Sequence, residues 1–230
     1  MKTKYLLLSL GVALCVLGGL LFGLHGPPPE VAANGTVRYV SPDGTDTPFC
    51  ATKTSPCRTV QYAIGQAQDG DTIRVATGVY TATGAPVADV DKSLTLSGGW
   101  DPDFNLLEPN PDAYTTTLDG RGLNRVVNID AGSYVTVTVQ GFEITGGDAT
   151  GGARWGGGLY ANQAKLYLLD NLIWNNFASS GPDQGWGGGA YLNSLSSSSL
   201  ISNNVIYSNT AAVENVGYGG GLRISSAATG

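Results

Sequence analysis

His25 is the only histidine in this 230-residue chain, and it sits in an apolar N-terminal leader. The rest of the chain therefore cannot build a Ser-His-Asp triad, a Cys-His pair or a histidine metal site. Any catalysis would fall to carboxylates, Lys or Arg. The candidate carboxylate pairs are Asp89 with Asp91 and Asp101 with Asp103. Paired oxygens of this kind are weak calcium candidates, because calcium takes about six to eight oxygens. Alternating Asp in a polar loop is otherwise simply solvated. No set of acidic residues recurs on one strand position with a basic partner, so no catalytic residue is assigned.

Another pattern does recur. Each loop ahead of a triple glycine holds one carboxylate: Asp148, Asp183 and Glu214. Each loop also ends on an aromatic: Trp155, Trp186 and Tyr218. Stacking would line these loops along one side of a rod. Aromatics beside polar groups can hold sugar rings, with the carboxylates bonding hydroxyls. Alternatively, the aromatics simply pack over the glycines as a ladder.

These residues belong to a repeat. Trp155-Gly156-Gly157-Gly158-Leu159-Tyr160 returns as Trp186-Gly187-Gly188-Gly189-Ala190-Tyr191 and as Tyr218-Gly219-Gly220-Gly221-Leu222-Arg223, at intervals of 31 and 32 residues. A fixed period of that size signals a solenoid. A second block also repeats: Asp170-Asn171-Leu172-Ile173-Trp174-Asn175-Asn176, then Asn203-Asn204-Val205-Ile206-Tyr207-Ser208-Asn209. Gly141-Phe142-Glu143-Ile144-Thr145-Gly146-Gly147 is a looser copy. The flanking runs, such as Tyr134 to Val139 and Lys165 to Leu168, alternate with period two between Gly, Asn and Ser. The prediction is an all-β parallel β-helix with coils stacked about 4.8 Å apart. Ile144, Ile173 and Ile206 should form an inward stack. Gly147, Asn176 and Asn209 should mark a corner of left-handed backbone, with the Asn amides bonding from coil to coil. The triple glycines mark loop re-entry, where something bulky sits close to the backbone.

Composition agrees. Gly supplies 34 residues and charged residues only 13%, against 42% hydrophobic, so the chain is not a disordered acidic one. Without residues 1–33 the count is 12 − 2 = 10 basic and 18 − 1 = 17 acidic, net −7. No basic block is present, which argues against nucleic acid as a partner.

Lys2 and Lys4 precede the apolar run Tyr5 to Leu24, and Val31-Ala32-Ala33 is a small-residue cleavage pattern. Residues 1–33 read as a signal peptide cleaved after Ala33, or as an uncleaved single-span anchor. Leu14 before Cys15 does not fit a lipobox. Either way the remainder lies outside the cytoplasm, and a membrane is reached only through this segment.

Residues 34–80 hold a strand, a Cys loop and a helix leading into the first coil, and residues 81–230 hold the coils. Cys50 and Cys57 enclose six residues of an exported chain, which predicts a disulfide. Arg58 to Ala67 reads as an amphipathic helix, with Val60, Ala63, Ile64 and Ala67 on one face. It would cover the open N-terminal end of the solenoid. Residues 100–112 form a Pro-rich excursion, read as a loop projecting from an early coil. The sequence stops soon after the third triple glycine without a lid, so the expectation is an uncapped, aggregation-prone C-terminal end of a fragment.

The run Tyr39-Val40-Ser41-Pro42-Asp43-Gly44, then Arg58 to Ile64, Gly70 to Val75 and Gly78-Val79-Tyr80, resembles the N-terminal cap of secreted right-handed parallel β-helix proteins of the pectate-lyase-like superfamily. The Gly-Gly-Gly-Leu-Tyr and Asn-x-Ile-x-x-Asn repeats are similar to those of polymorphic outer-membrane proteins. The resemblance covers residues 37–230. It implies a right-handed fold that carries lyases, hydrolases, adhesins and passive surface proteins. In the related lyases Asp residues hold calcium and a Lys or Arg takes the proton. None of those residues maps onto this chain. The expected function is a secreted or cell-surface repeat protein, leaning away from an enzyme, in adhesion or polysaccharide binding, with a cell-surface glycan as partner. The alternatives are a polysaccharide lyase or glycoside hydrolase with its site in a missing C-terminal part, and a passive stalk.

Overall fold

The computed structural model describes residues 35–47 and 49–226. The leader, its cleavage point after Ala33, Cys15 and His25 lie outside these residues.

The chain lays one strand on each of three parallel sheets and then repeats the circuit. The first sheet contains Val37–Val40, Asp71–Ala76, Leu94–Trp100, Val135–Gln140, Ala164–Leu169 and Leu200–Ser202. The second contains Gly78–Thr81, Thr116–Asp119, Glu143–Thr145, Leu172–Trp174 and Val205–Tyr207. The third contains Ala88–Val90, Val127–Ile129, Leu159–Asn162, Ala190–Asn193 and Leu222–Ser225. Neighbouring strands are parallel and one circuit apart in sequence, which is a solenoid arrangement of the β-helix type.

Period-two patterning sends every second side chain inward, and parallel register stacks those side chains into columns. In the first sheet the column is Ile73, Leu96, Val139, Leu168 and Ile201. In the second, Tyr80 and Leu118 continue into the predicted Ile144, Ile173, Ile206 stack. In the third it is Val90, Ile129, Ala161, Leu192 and Ile224. These columns merge into one core. Ile224, at the inward position of the last described circuit, is 63% exposed.

The corners hold as predicted in one respect and differ in another. The Asn amides do bond between storeys. Asn176 Oδ1 accepts from Gly147 N (2.8 Å), and Asn176 Nδ2 donates to Ile144 O (3.0 Å) and to Asn209 Oδ1 (3.0 Å). The left-handed backbone, however, lies one residue earlier, at Gly146, Asn175 and Ser208. One residue makes the bend and the next carries the amide. The same division repeats at the preceding corner, which the sequence reading overlooked. There Gly141, Asp170 and Asn203 are left-handed, and Asn171 Nδ2 donates to Asn204 Oδ1 (3.0 Å) and Val139 O (2.9 Å).

At the N-terminal side the helix is shorter than predicted, Val60–Gln66. Thr59 is extended and its side chain accepts from Tyr62 N (3.2 Å), so it is the cap. Asp46 accepts from the N–H groups of Arg58 and Thr59 and from the Thr59 hydroxyl. Val60, Ala63, Ile64 and Ala67 are buried in the common core. Cys50 and Cys57 form the expected disulfide, with Cα atoms 5.2 Å apart. Their loop pairs with the first strand: Tyr39 N donates to Cys50 O, and Cys57 N donates to Tyr39 O. A buried ion pair fastens the same strand, from Arg38 Nε to Asp71 Oδ2 at 2.8 Å.

The start of the excursion folds back onto the first sheet, whereas its later part is exposed, Leu107 at 91%. Trp100 and Phe104 are buried together against Ala76, Tyr39 and Leu106. Phe104 meets Tyr39 edge-on, with centroids 5.0 Å apart. The Arg74 guanidinium lies 4.1 Å over Trp100. Two large aromatics within the Pro-rich run gave it apolar area to bury, and it folded back to do so. Among the described residues no helix is long and apolar enough to cross a membrane.

Candidate functional site

The triple glycines set the position of the aromatics that precede them. The first glycine of each triple, Gly156, Gly187 or Gly219, has left-handed backbone. In the first two triples the third, Gly158 or Gly189, packs against the Asn ladder. A Cβ on Gly158 would lie 2.5 Å from Gly189 O and 2.8 Å from Asn176 Nδ2. The bulky neighbour predicted from sequence is therefore the protein's own backbone and ladder. Gly158→Ala is expected to cost about 2–3 kcal/mol by overpacking. Gly151→Ala, where a Cβ would meet nothing within 4 Å, should leave the denaturation midpoint unchanged.

Re-entry in this manner places Trp155, Trp186 and Tyr218 in one backbone column, with Trp155 bridging Trp186 and Trp186 pairing Tyr218. The rings divide into two groups. Trp186 and Tyr218 stack at 5.9 Å with planes 6° apart. Trp155 turns away, onto Tyr160 (5.8 Å) and Tyr191 (5.7 Å), which stack on each other at 5.9 Å. Arg125 lies beside this cluster. Its Nη2 donates to Trp155 O at 2.6 Å, its Nη1 to Asn128 Oδ1 at 2.9 Å, and its guanidinium lies 4.8 Å from the Tyr160 ring. Burial pushes the Arg125 pKa down, against the opposing pull of Tyr160, Asp89 and Asp130. Burial first, then Asp130, raises that of Tyr160, so the phenol stays neutral. Tyr160 and Tyr191 are buried, whereas Tyr218 is 40% exposed.

Face-to-face stacking engages the faces that Trp186 and Tyr218 turn to each other. The ring edges carry the indole N–H and the phenol O–H. The pair thus has the ladder geometry, and its Tyr218 member is still exposed.

The three carboxylates do not share a column. Asp148 bridges Phe177, whose partner in the next circuit is Thr210. Its carboxylate accepts from Thr150 N (2.8 Å) and Ser180 Oγ (2.6 Å). Asp183 pairs with Arg154 Nη2 at 2.7 Å. Carrying the Gly185 to Gly217 register back two residues sets Asp183 level with Asn215, not Glu214. Glu214 is exposed on the neighbouring loop. The loops differ in length, and that difference cancels the alignment their sequences imply.

The calcium candidates are also spread out. Asp89 accepts from Asn128 Nδ2 (2.8 Å), and Asp91 faces Lys92 Nζ (3.3 Å). Asp101 is buried and accepts from Asn105 N (2.9 Å) and Leu106 N (3.0 Å). Burial acts to raise its pKa, but those backbone donors outweigh it and hold the carboxyl below its usual range. Asp103 is exposed. Among the described residues no three His, Cys, Asp or Glu side chains gather at one point.

One outward carboxylate escaped the sequence reading. Glu143 accepts from Thr117 Oγ1 and from Trp174 Nε1, both at 2.7 Å. Its repeat equivalents are Leu172 and Val205. A charge at a position that is otherwise apolar in the repeat was the available signal.

Comparison with family models and with curated proteins gives no match. A solved structure described as a rhamnogalacturonan lyase is similar at 14% identity and a TM-score of 0.34. The alignment covers 85% of this chain and 63% of that one, so the chain spans less than two thirds of that structure. No residue role is carried across from it.

Proposed function

We propose that this is an exported, secreted or surface-attached repeat protein that binds an extended polysaccharide along the side of its solenoid. In this reading the coils wind right-handed, as parallel crossover connections nearly always do. The N-terminal helix serves as a lid, and the fold is that of the pectate-lyase-like superfamily. The carrying observation is the Trp186–Tyr218 stack, half-buried at Trp186 and exposed at Tyr218, one storey per circuit, beside the half-exposed Arg154–Asp183 pair. Arg154 O accepts from Trp186 N, which joins the backbone of the ion pair to that of the stack. Ring edges, guanidinium and carboxylates suit a hydroxyl-rich polymer that runs with the storeys.

The carboxylates favour binding over catalysis, because Asp148, Asp183, Asp101 and Asp71 are each committed to partners in the protein. Trp186→Ala should weaken retention in polysaccharide-loaded gels about tenfold or more, as loss of a central aromatic contact does. The circular dichroism spectrum should survive. Unchanged retention by the folded variant would remove the site. Release of unsaturated sugars from acidic polysaccharides, with or without calcium, would replace the binding reading with a lyase.

A further inference from the structure

We infer that the outer face of the second sheet binds an amino-sugar polymer, a glycan carrying free ammonium groups, with Glu143 as the anion that receives them. This rests on the glycan-binding reading above and adds a second face and a charge preference.

Two outward columns make up the face. One runs Val79, Thr117, Glu143, Leu172, Val205, and the other Thr81, Asp119, Thr145, Trp174, Tyr207. Glu143 lies at the middle storey. Its two hydrogen-bond donors, a threonine hydroxyl and an indole N–H, are both neutral. Among the described residues the ion pairs are Arg38–Asp71, Lys92–Asp91 and Arg154–Asp183, so Glu143 has no cation within 4.0 Å. Each oxygen has accepted one bond and keeps a lone pair for another. The carboxylate is therefore fixed, half-buried and uncompensated.

What surrounds it selects the ligand. On the C-terminal side of Glu143 the face is apolar: Leu172, Val205 and the Trp174–Tyr207 stack, with centroids 6.0 Å apart and planes 4° apart. Val205 and Tyr207 are 57% and 46% exposed. On the other side lie the hydroxyl of Thr117 and the carboxylate of Asp119, whose Oδ1 accepts from Arg121 N (2.8 Å). A pyranose has an apolar C–H face and a hydroxyl rim, which match this division. A neutral sugar would leave the Glu143 charge uncompensated, and a uronate would be repelled by it. An ammonium on the ring supplies the missing cation. Since each storey repeats the previous one, a polymer can follow the column. A lysine-rich peptide shares the ammonium but has no hydroxyl rim for Thr117.

The test is calorimetric titration of the full chain with glucosamine oligomers, N-acetylglucosamine oligomers of equal length, and polylysine. The free-amine oligomer should bind about tenfold to a hundredfold more tightly than the acetylated one, the worth of one charge-assisted hydrogen bond. Glu143→Gln should abolish that preference. Leu172→Lys, which sets a cation one storey from Glu143 on the exposed face, should abolish it as well and serves if the first variant folds poorly. Equal binding of the two oligomers, or polylysine binding with the same dependence on Glu143, would overturn the assignment. Absence of an amine preference in the unaltered chain, with glycan retention intact, sinks only the Glu143 site. Absence of binding to any glycan sinks the reading it rests on.

Discussion

Asp71→Asn is expected to destabilise the protein by about 3–5 kcal/mol, the cost of stranding a buried charge. Asp71 accepts three hydrogen bonds at once. Its Oδ2 accepts from Arg38 Nε (2.8 Å) and Gln68 N (3.0 Å), and its Oδ1 accepts from Thr36 N (2.7 Å). Arg38 in turn donates Nη1 to Phe49 O (2.7 Å), at the start of the disulfide loop. The paired side chains are 9% and 4% exposed, so water cannot replace the lost partner. An Asn would retain one acceptor and turn an N–H₂ toward another donor, leaving the Arg38 cation uncompensated. Asp91→Asn is the internal comparison: its pair with Lys92 is at the surface and should be worth less than about 1 kcal/mol. Urea denaturation of both variants measures the difference. Equal midpoints would mean that Arg38 and Asp71 are not buried together.

Asn176→Leu should cost at least about 3 kcal/mol, because several buried groups lose their partners together. The Gly147 N–H and the Ile144 carbonyl belong to the storey on one side, and the Asn209 amide to the storey on the other. Leu is similar in volume and restores none of these bonds. Asn175→Gly, one residue away, should change stability by less than about 0.5 kcal/mol, since its exposed side chain contributes only a bend that Gly makes freely. The pair of variants separates the ladder residue from the bend residue by thermal or chemical denaturation. Equal losses at both positions would contradict that division of labour.

The period was legible because repeats copy what the storeys share. Ile144, Ile173 and Ile206 stack as their spacing implied, and Asn176 bonds Asn209. Cys50 with Cys57 and the apolar face of Val60, Ala63 and Ile64 were equally readable, since local spacing decides both. What the repeat could not convey were the places where storeys differ. Asp148 and Asp183 look equivalent in sequence, yet the loops holding them differ in length and the register separates them. The ring of Trp155 packs on Tyr160 and Tyr191, and the cation over that cluster, Arg125, comes from the previous circuit, outside the repeat window. Trp100 and Phe104 fold the excursion back because the outer side of the first sheet offers Ala76 and Tyr39 to cover. The one-residue displacement of the left-handed bend has a simpler cause. Asn tolerates that backbone and also builds amide ladders, so Asn175-Asn176 alone does not reveal which residue does which.

That the backbone makes one complete circuit between Leu172 and Val205 can be tested by cysteine cross-linking. These outward residues are register partners in the second sheet, whereas Ile206 pairs with Ile173 and points inward. Leu172→Cys with Val205→Cys should close a disulfide quickly under mild oxidation, because directly opposed strand positions fall in the bridging range. Leu172→Cys with Ile206→Cys should not, because a shift of one residue moves the side chain to the other face. Efficient closure of the shifted pair, or of neither pair in folded protein, would contradict the winding.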